Sequence, residues 1–159
     1  MVVGFGTTGQ DALRFLYEFS AFAGPDGAKS PVEIHIIDNG IKGHIADFLQ
    51  DVPALPQIQE VVLHDMNAFS SDFISFMHDN IHSLNYVVVA AGDDDVNIAV
   101  AASIFEYAQQ YRLGGFDKFR IFVRLYNETN RQLFDTAVKV YNQFVDCVSY
   151  FGGVGDIYK

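Results

Sequence analysis

The chain has 159 residues, half of them hydrophobic, which is enough for one domain with a substantial core. A net charge of −10 works against nucleic acid and against an anionic membrane surface, since both require clustered Lys and Arg. A single cysteine excludes an intramolecular disulfide and fits a reducing cytoplasm; no run approaches the ~18–20 apolar residues of a membrane span or has the charged-then-apolar order of a signal peptide, so direct membrane insertion is not expected.

The N-terminal run Gly4-Phe5-Gly6-Thr7-Thr8-Gly9 reads G-x-G-x-x-G between a hydrophobic start and a helical pattern. In that setting the first glycine serves a tight turn, the second lets backbone approach a pyrophosphate, and the third lets helix and strand pack closely. Phosphates would sit on unpaired N–H groups at the helix start, where the dipole favours negative charge. Apolar residues then recur at helical spacing through about Ala23. The segment from Gly24 to Pro31 is expected as a surface loop. Val32 to Ile37 forms the second strand, and Asp38 closes it, with Asn39 beside it. A carboxylate there accepts hydrogen bonds from ribose hydroxyls. With no Arg or Lys immediately after Asp38 to meet a 2′-phosphate, NAD, ADP or ATP is favoured over NADP.

Further along, a short helix over 41–49 leads through the Pro53 to Pro56 turn to a third strand, Glu60 to His64. Ser70, Ser71 and Asp72 offer N-caps to a helix whose Phe69, Phe73, Phe76 and Met77 make one apolar stripe. The fourth strand, Tyr86 to Ala91, is continuously apolar, as a strand covered on both faces should be. Asp93, Asp94 and Asp95 follow at a helix start, where capping is favoured over a divalent-ion site. A fifth strand spans Phe119 to Leu125, a helix starts near Asn127, and Phe144 to Ser149 supplies a sixth strand. The expected architecture is a Rossmann-like, three-layer α/β domain over residues 1–159. Its doubly wound parallel sheet would run in the order 3-2-1-4-5-6.

The glycine turn, the Ile37-Asp38 strand end, His64-Asp65, the segment Val88 to Ile98 and the run Val123 to Asn127 together resemble the nucleotide-binding domain of Trk-type potassium uptake regulators. Regulator of potassium conductance domains belong to the same family. The resemblance implies NAD(H), or alternatively ATP or ADP, as ligand. It also implies a homodimer and a membrane cation channel or transporter as the partner that receives the signal. By the same resemblance, Gly4, Gly6, Thr7, Thr8 and Gly9 would meet the phosphates and Asp38 the ribose. Asp65 and Met66 match the strand end beside the adenine. Ala90, Ala91 and Gly92 match the fourth-strand end lining the cleft, and Arg124 matches a fifth-strand arginine. That arginine has two readings, a phosphate ligand or a structural salt bridge.

The chain departs from the family in having His64-Asp65 where Gly-Asp is usual, and in the Gly24 to Pro31 insertion. Only three residues precede Gly4, fewer than the about five or six of an ordinary strand, so a domain excised from a longer protein is expected. The enzyme alternative, the cofactor half of an NAD-dependent oxidoreductase, needs a proton donor and a substrate pocket. No lysine stands four residues after a tyrosine to make the short-chain dehydrogenase pair. Cys147 has no basic neighbour in sequence and reads as a buried inert thiol. His78 and His82 have metal-ligand spacing but no third ligand nearby in sequence. The sequence therefore reads as a regulatory nucleotide-binding domain without catalytic residues.

Overall fold

A computed structural model describes residues 1–19, 32–55, 60–113, 115–140 and 146–152. Strands and helices alternate along it: β1 (Val2–Val3), α1 (Thr7–Phe19), β2 (Glu33–Asp38), α2 (Ile41–Asp51), β3 (Glu60–Asp65), α3 (Ser71–Asn80), β4 (Tyr86–Val89), α4 (Asp94–Tyr111), β5 (Arg120–Arg124), α5 (Glu128–Val140) and β6 (Val148–Phe151). The six strands form one parallel sheet in the order β3-β2-β1-β4-β5-β6. The Rossmann-like architecture expected from the sequence is thus present. Its strand order reverses at β1, which pairs with β2 on one side and β4 on the other, so the turns after β1 and β4 diverge to opposite faces and leave a crevice between them.

β1 has two residues, but its ladder runs further. Met1 O accepts from Val88 N at 3.0 Å, and Gly4 N donates to Ile37 O at 2.8 Å. Central strands are buried on both faces, as the fully buried Val87, Val89 and Ile36 show, whereas edge strand β3 has only half-buried and exposed residues.

Helices cover both faces. Leu13, Ile41, Ile45 and Phe48 of α1 and α2 pack with Phe5, Ile34, Ile36 and Leu55 on one. On the other, Phe73 and Met77 of α3, Val100, Ile104 and Ala108 of α4 and Phe134 of α5 pack with Val3, Ile37, Val89, Ile121 and Val123. No helix among the described residues is long and apolar enough to cross a membrane.

Two expectations need adjustment, and parts of others lie outside the described residues. β6 runs Val148–Phe151, so the expected strand from Phe144 starts too early: Asp146 and Cys147 form a turn, and the register Ile121↔Val148 to Arg124↔Phe151 carries the strand level with the end of β5. The end of the first helix beyond Phe19, the Gly24 to Pro31 loop and Phe144 itself lie outside the described residues. Phe69 does not join the apolar stripe of α3. It precedes the Ser70 N-cap, which accepts from Phe73 N, and is 59% exposed while Phe73 is fully buried.

Candidate functional site

The glycine turn is shaped by close backbone approach. Gly4 has a φ of +89°, and a side chain there would run into the backbone of Ala90 and Ala91. A Cβ on Gly9 would strike the Gly4 carbonyl, so the first turn of α1 can rest directly on the end of β1 only with glycine at both places. At Gly6 no described atom lies within 4 Å of where a Cβ would be, which leaves the middle of the turn open beside the N-terminus of α1. Two glycines therefore close the backbone and the third keeps an approach clear.

Carboxylates at the ends of β2 and β3 reach the neighbouring turns. Asp38 Oδ2 accepts from Phe5 N at 2.8 Å and so steadies the glycine turn from beside it. Asp65 Oδ1 accepts from Gly40 N, also at 2.8 Å, at the start of α2. Between these ends lies a cleft of about 230 Å³. Of the residues expected at a site, it brings together Gly4, Asp38, Asn39, Met66 and Ala91. Asn67, Ala68, Phe69 and Val96 also line it, and sequence reasoning did not place them there. Ala90 is buried in the strand end below, and Asp65 is exposed at the β2 turn.

Arg124 stands on the far side of the glycine turn. Its guanidinium donates to Thr8 Oγ1 at 3.3 Å and to the Gly92 carbonyl, and it stacks over Tyr126 at 4.7 Å. It makes no salt bridge among the described residues, and its Nε is buried without a hydrogen-bond partner there. The structural salt bridge is thus not what holds this side chain. Arg124 ties Thr8 to Gly92 and sets a cation next to the positive end of α1.

Asp93, Asp94 and Asn97 build a scaffold. Asp93 caps α4, accepting from Val96 N at 3.0 Å. Asp94, almost fully buried, accepts from Tyr126 N, Asn127 N and Asn130 Nδ2 at 2.9, 2.8 and 3.2 Å. Burial works to raise its carboxyl, but those N–H donors and the charge of Arg124 prevail and hold it below the ordinary carboxylate range. Asn97, wholly buried, accepts from Ala91 N at 2.7 Å and donates to Arg124 O at 3.0 Å and Gly92 O at 3.3 Å. The Asp-rich turn thus locks the ends of β4 and β5 together. Among the described residues no group of three or more His, Cys, Asp or Glu is placed to hold a metal.

His78 and His82 are both exposed; His78 pairs with Asp79, and His82 lies in the turn beyond α3. Cys147 is buried against the Phe116 carbonyl, and burial pushes its thiol up, away from nucleophilic reactivity. A different histidine pair emerged from the fold. His35 Nδ1 lies 3.0 Å from His64 Nε2, both rings pack on Phe76, and His35 Nε2 lies 2.7 Å from Glu33 Oε1. Burial pushes both imidazoles below 6.5. Neutral His35 therefore donates to Glu33 and accepts from His64. His64, the departure from the family's Gly-Asp, thus packs against Phe76 of α3.

No protein-family model matches the chain, and neither a curated protein nor a solved structure does.

Proposed function

We propose that this domain binds a nucleotide, NAD(H) foremost and ATP or ADP next, and acts as a regulatory sensor. The observation that carries the reading is the Arg124 guanidinium. It is held at the glycine turn by neutral acceptors, meets the same turn as the open position at Gly6, and makes no salt bridge among the described residues, acting on Asp94 only through its charge. A half-buried cation beside a helix N-terminus favours an anion with several acceptor oxygens, and a diphosphate supplies them. On this reading Asp38 accepts from ribose through Oδ1, since Oδ2 is occupied by Phe5 N.

The resemblance to potassium uptake regulators supplies the rest of the proposal: a homodimer whose ligand-dependent arrangement is passed to a cation channel or transporter. Regulation follows from differential affinity, because a nucleotide that binds one arrangement more tightly shifts the population toward it. At a coupling of ~1–3 kcal/mol such a ligand tunes transport and does not switch it absolutely.

Calorimetric titration with NAD, NADH, ATP and ADP tests the site. Arg124→Gln is expected to weaken binding about ten- to a hundredfold, the worth of a hydrogen bond to a charged group. Asp38→Asn, which keeps an acceptor for Phe5 N, is expected to weaken it less. Gly6→Val is expected to abolish binding while leaving the fold intact. Unchanged affinity in all three variants, or no binding to the parent chain, overturns the reading.

A further inference from the structure

We infer that Phe69 is the base-stacking residue of this site, so that the cleft after β3 takes the purine end of the ligand. The inference rests on the nucleotide reading and goes beyond it by assigning a recognition role to a residue outside the glycine turn. Phe69 is a large apolar side chain left 59% exposed at the rim of the cleft, one residue before a helix that fully buries its next phenylalanine.

Its backbone is not loose. Asn67 Oδ1 accepts from Phe69 N at 2.8 Å, and Ser70 both donates its hydroxyl to Asn67 O at 2.7 Å and caps α3. The ring is therefore held at the rim and does not fold back into the core. The cleft beside it is lined by the apolar Met66, Ala68, Ala91 and Val96 and by the polar Asp38 and Asn67. A cleft that combines a carboxylate, apolar walls and an exposed aromatic suits a ribose and its base together. Stacking on an aromatic ring is a large share of base affinity and is tolerant of base identity, because every base has a π-face. Phe69 thus contributes affinity and orientation, and discrimination among purines is left to other groups.

The test uses ADP and NAD with the parent chain and the Phe69→Ala, Phe69→Trp and Arg124→Gln variants. Phe69→Ala is expected to lose about five- to a hundredfold in affinity, as removal of a stacking platform does. Phe69→Trp is expected to keep binding. The chain has no tryptophan, so Phe69→Trp also installs a single fluorophore whose emission should change on adding ADP. If the parent binds and Arg124→Gln weakens it while Phe69→Ala binds as the parent does, the stacking role is overturned and the nucleotide reading survives. Binding by Phe69→Trp without a fluorescence change also overturns it. If the parent binds neither ligand, the nucleotide reading falls and the inference falls with it.

Discussion

The turn after β4 and the turn after β3 flank one cleft, yet they spend their polar groups differently. After β4, Asp93, Asp94 and Asn97 are all engaged with backbone, and Gly4 presses on Ala90 and Ala91. After β3, Asn67 and Ser70 bond, among the described residues, within their own turn and to the first turn of α3, and Phe69 stands exposed. The first wall joins three strand ends into a rigid frame, whereas the second is a local loop on an edge strand. A binding crevice needs one surface that cannot move and one that presents side chains outward. Here the frame sits at the sheet centre because only there do neighbouring strands on both sides supply partners.

That contrast is open to direct test. Gly4→Ala should have the largest effect, since it combines a left-handed φ with a backbone collision; a loss of about 4 kcal/mol or more is expected, read as failure to fold or a large drop in urea midpoint. Asn97→Ala should cost about 3 kcal/mol by orphaning buried backbone groups of β4 and β5. In a domain of this size that lowers Tm by roughly 6–12 °C in a thermal melt. On the β3 side, Phe69→Ala should change stability by no more than about 0.5 kcal/mol, even though its effect on ligand is large. Equal destabilisation by Asn97→Ala and Phe69→Ala would remove the distinction between frame and rim.

The histidine pair beneath the rim adds a pH dependence. Both folded pKa values are lowered, so the unfolded chain binds protons more readily. The associated stability is fully present above 6.5 and is lost as pH falls from there through the folded values. The carboxylates of Glu33 and Glu60 oppose this lowering of His35, while the Met1 amine reinforces it. Urea midpoints at pH 7.5, 6.5 and 5.5 should decline, and His64→Leu should flatten the decline by removing one of the two lowered imidazoles.

Most of the fold was legible in the residues. The glycine turn, the β-branched runs and the Ser70 and Asp93 caps each encode a local preference, and their alternation implies the parallel order seen. Asp38 was identifiable because a strand's end is marked by where its apolar run stops, whereas Arg124 was singled out only by the family resemblance. Phe69 was misplaced because helical periodicity extends through it, and only the cap at Ser70 shows that the helix begins after it. The strand Val148–Phe151 was shifted because its start is set by pairing with β5, a constraint that does not appear in its own residues.

By itself, then, the amino-acid order determined the element types, the strand sequence and the glycine turn, all products of short-range sterics and hydrophobic period. Only the tertiary structure decided that Asn97 would clamp two strands, that Arg124 would meet Thr8, and that His35 would meet His64, pairs separated by 27, 116 and 29 positions in the case of Asn97 with Arg124, Arg124 with Thr8, and His35 with His64. Such contacts depend on which strand ends the sheet sets side by side, and no local preference of either partner specifies them.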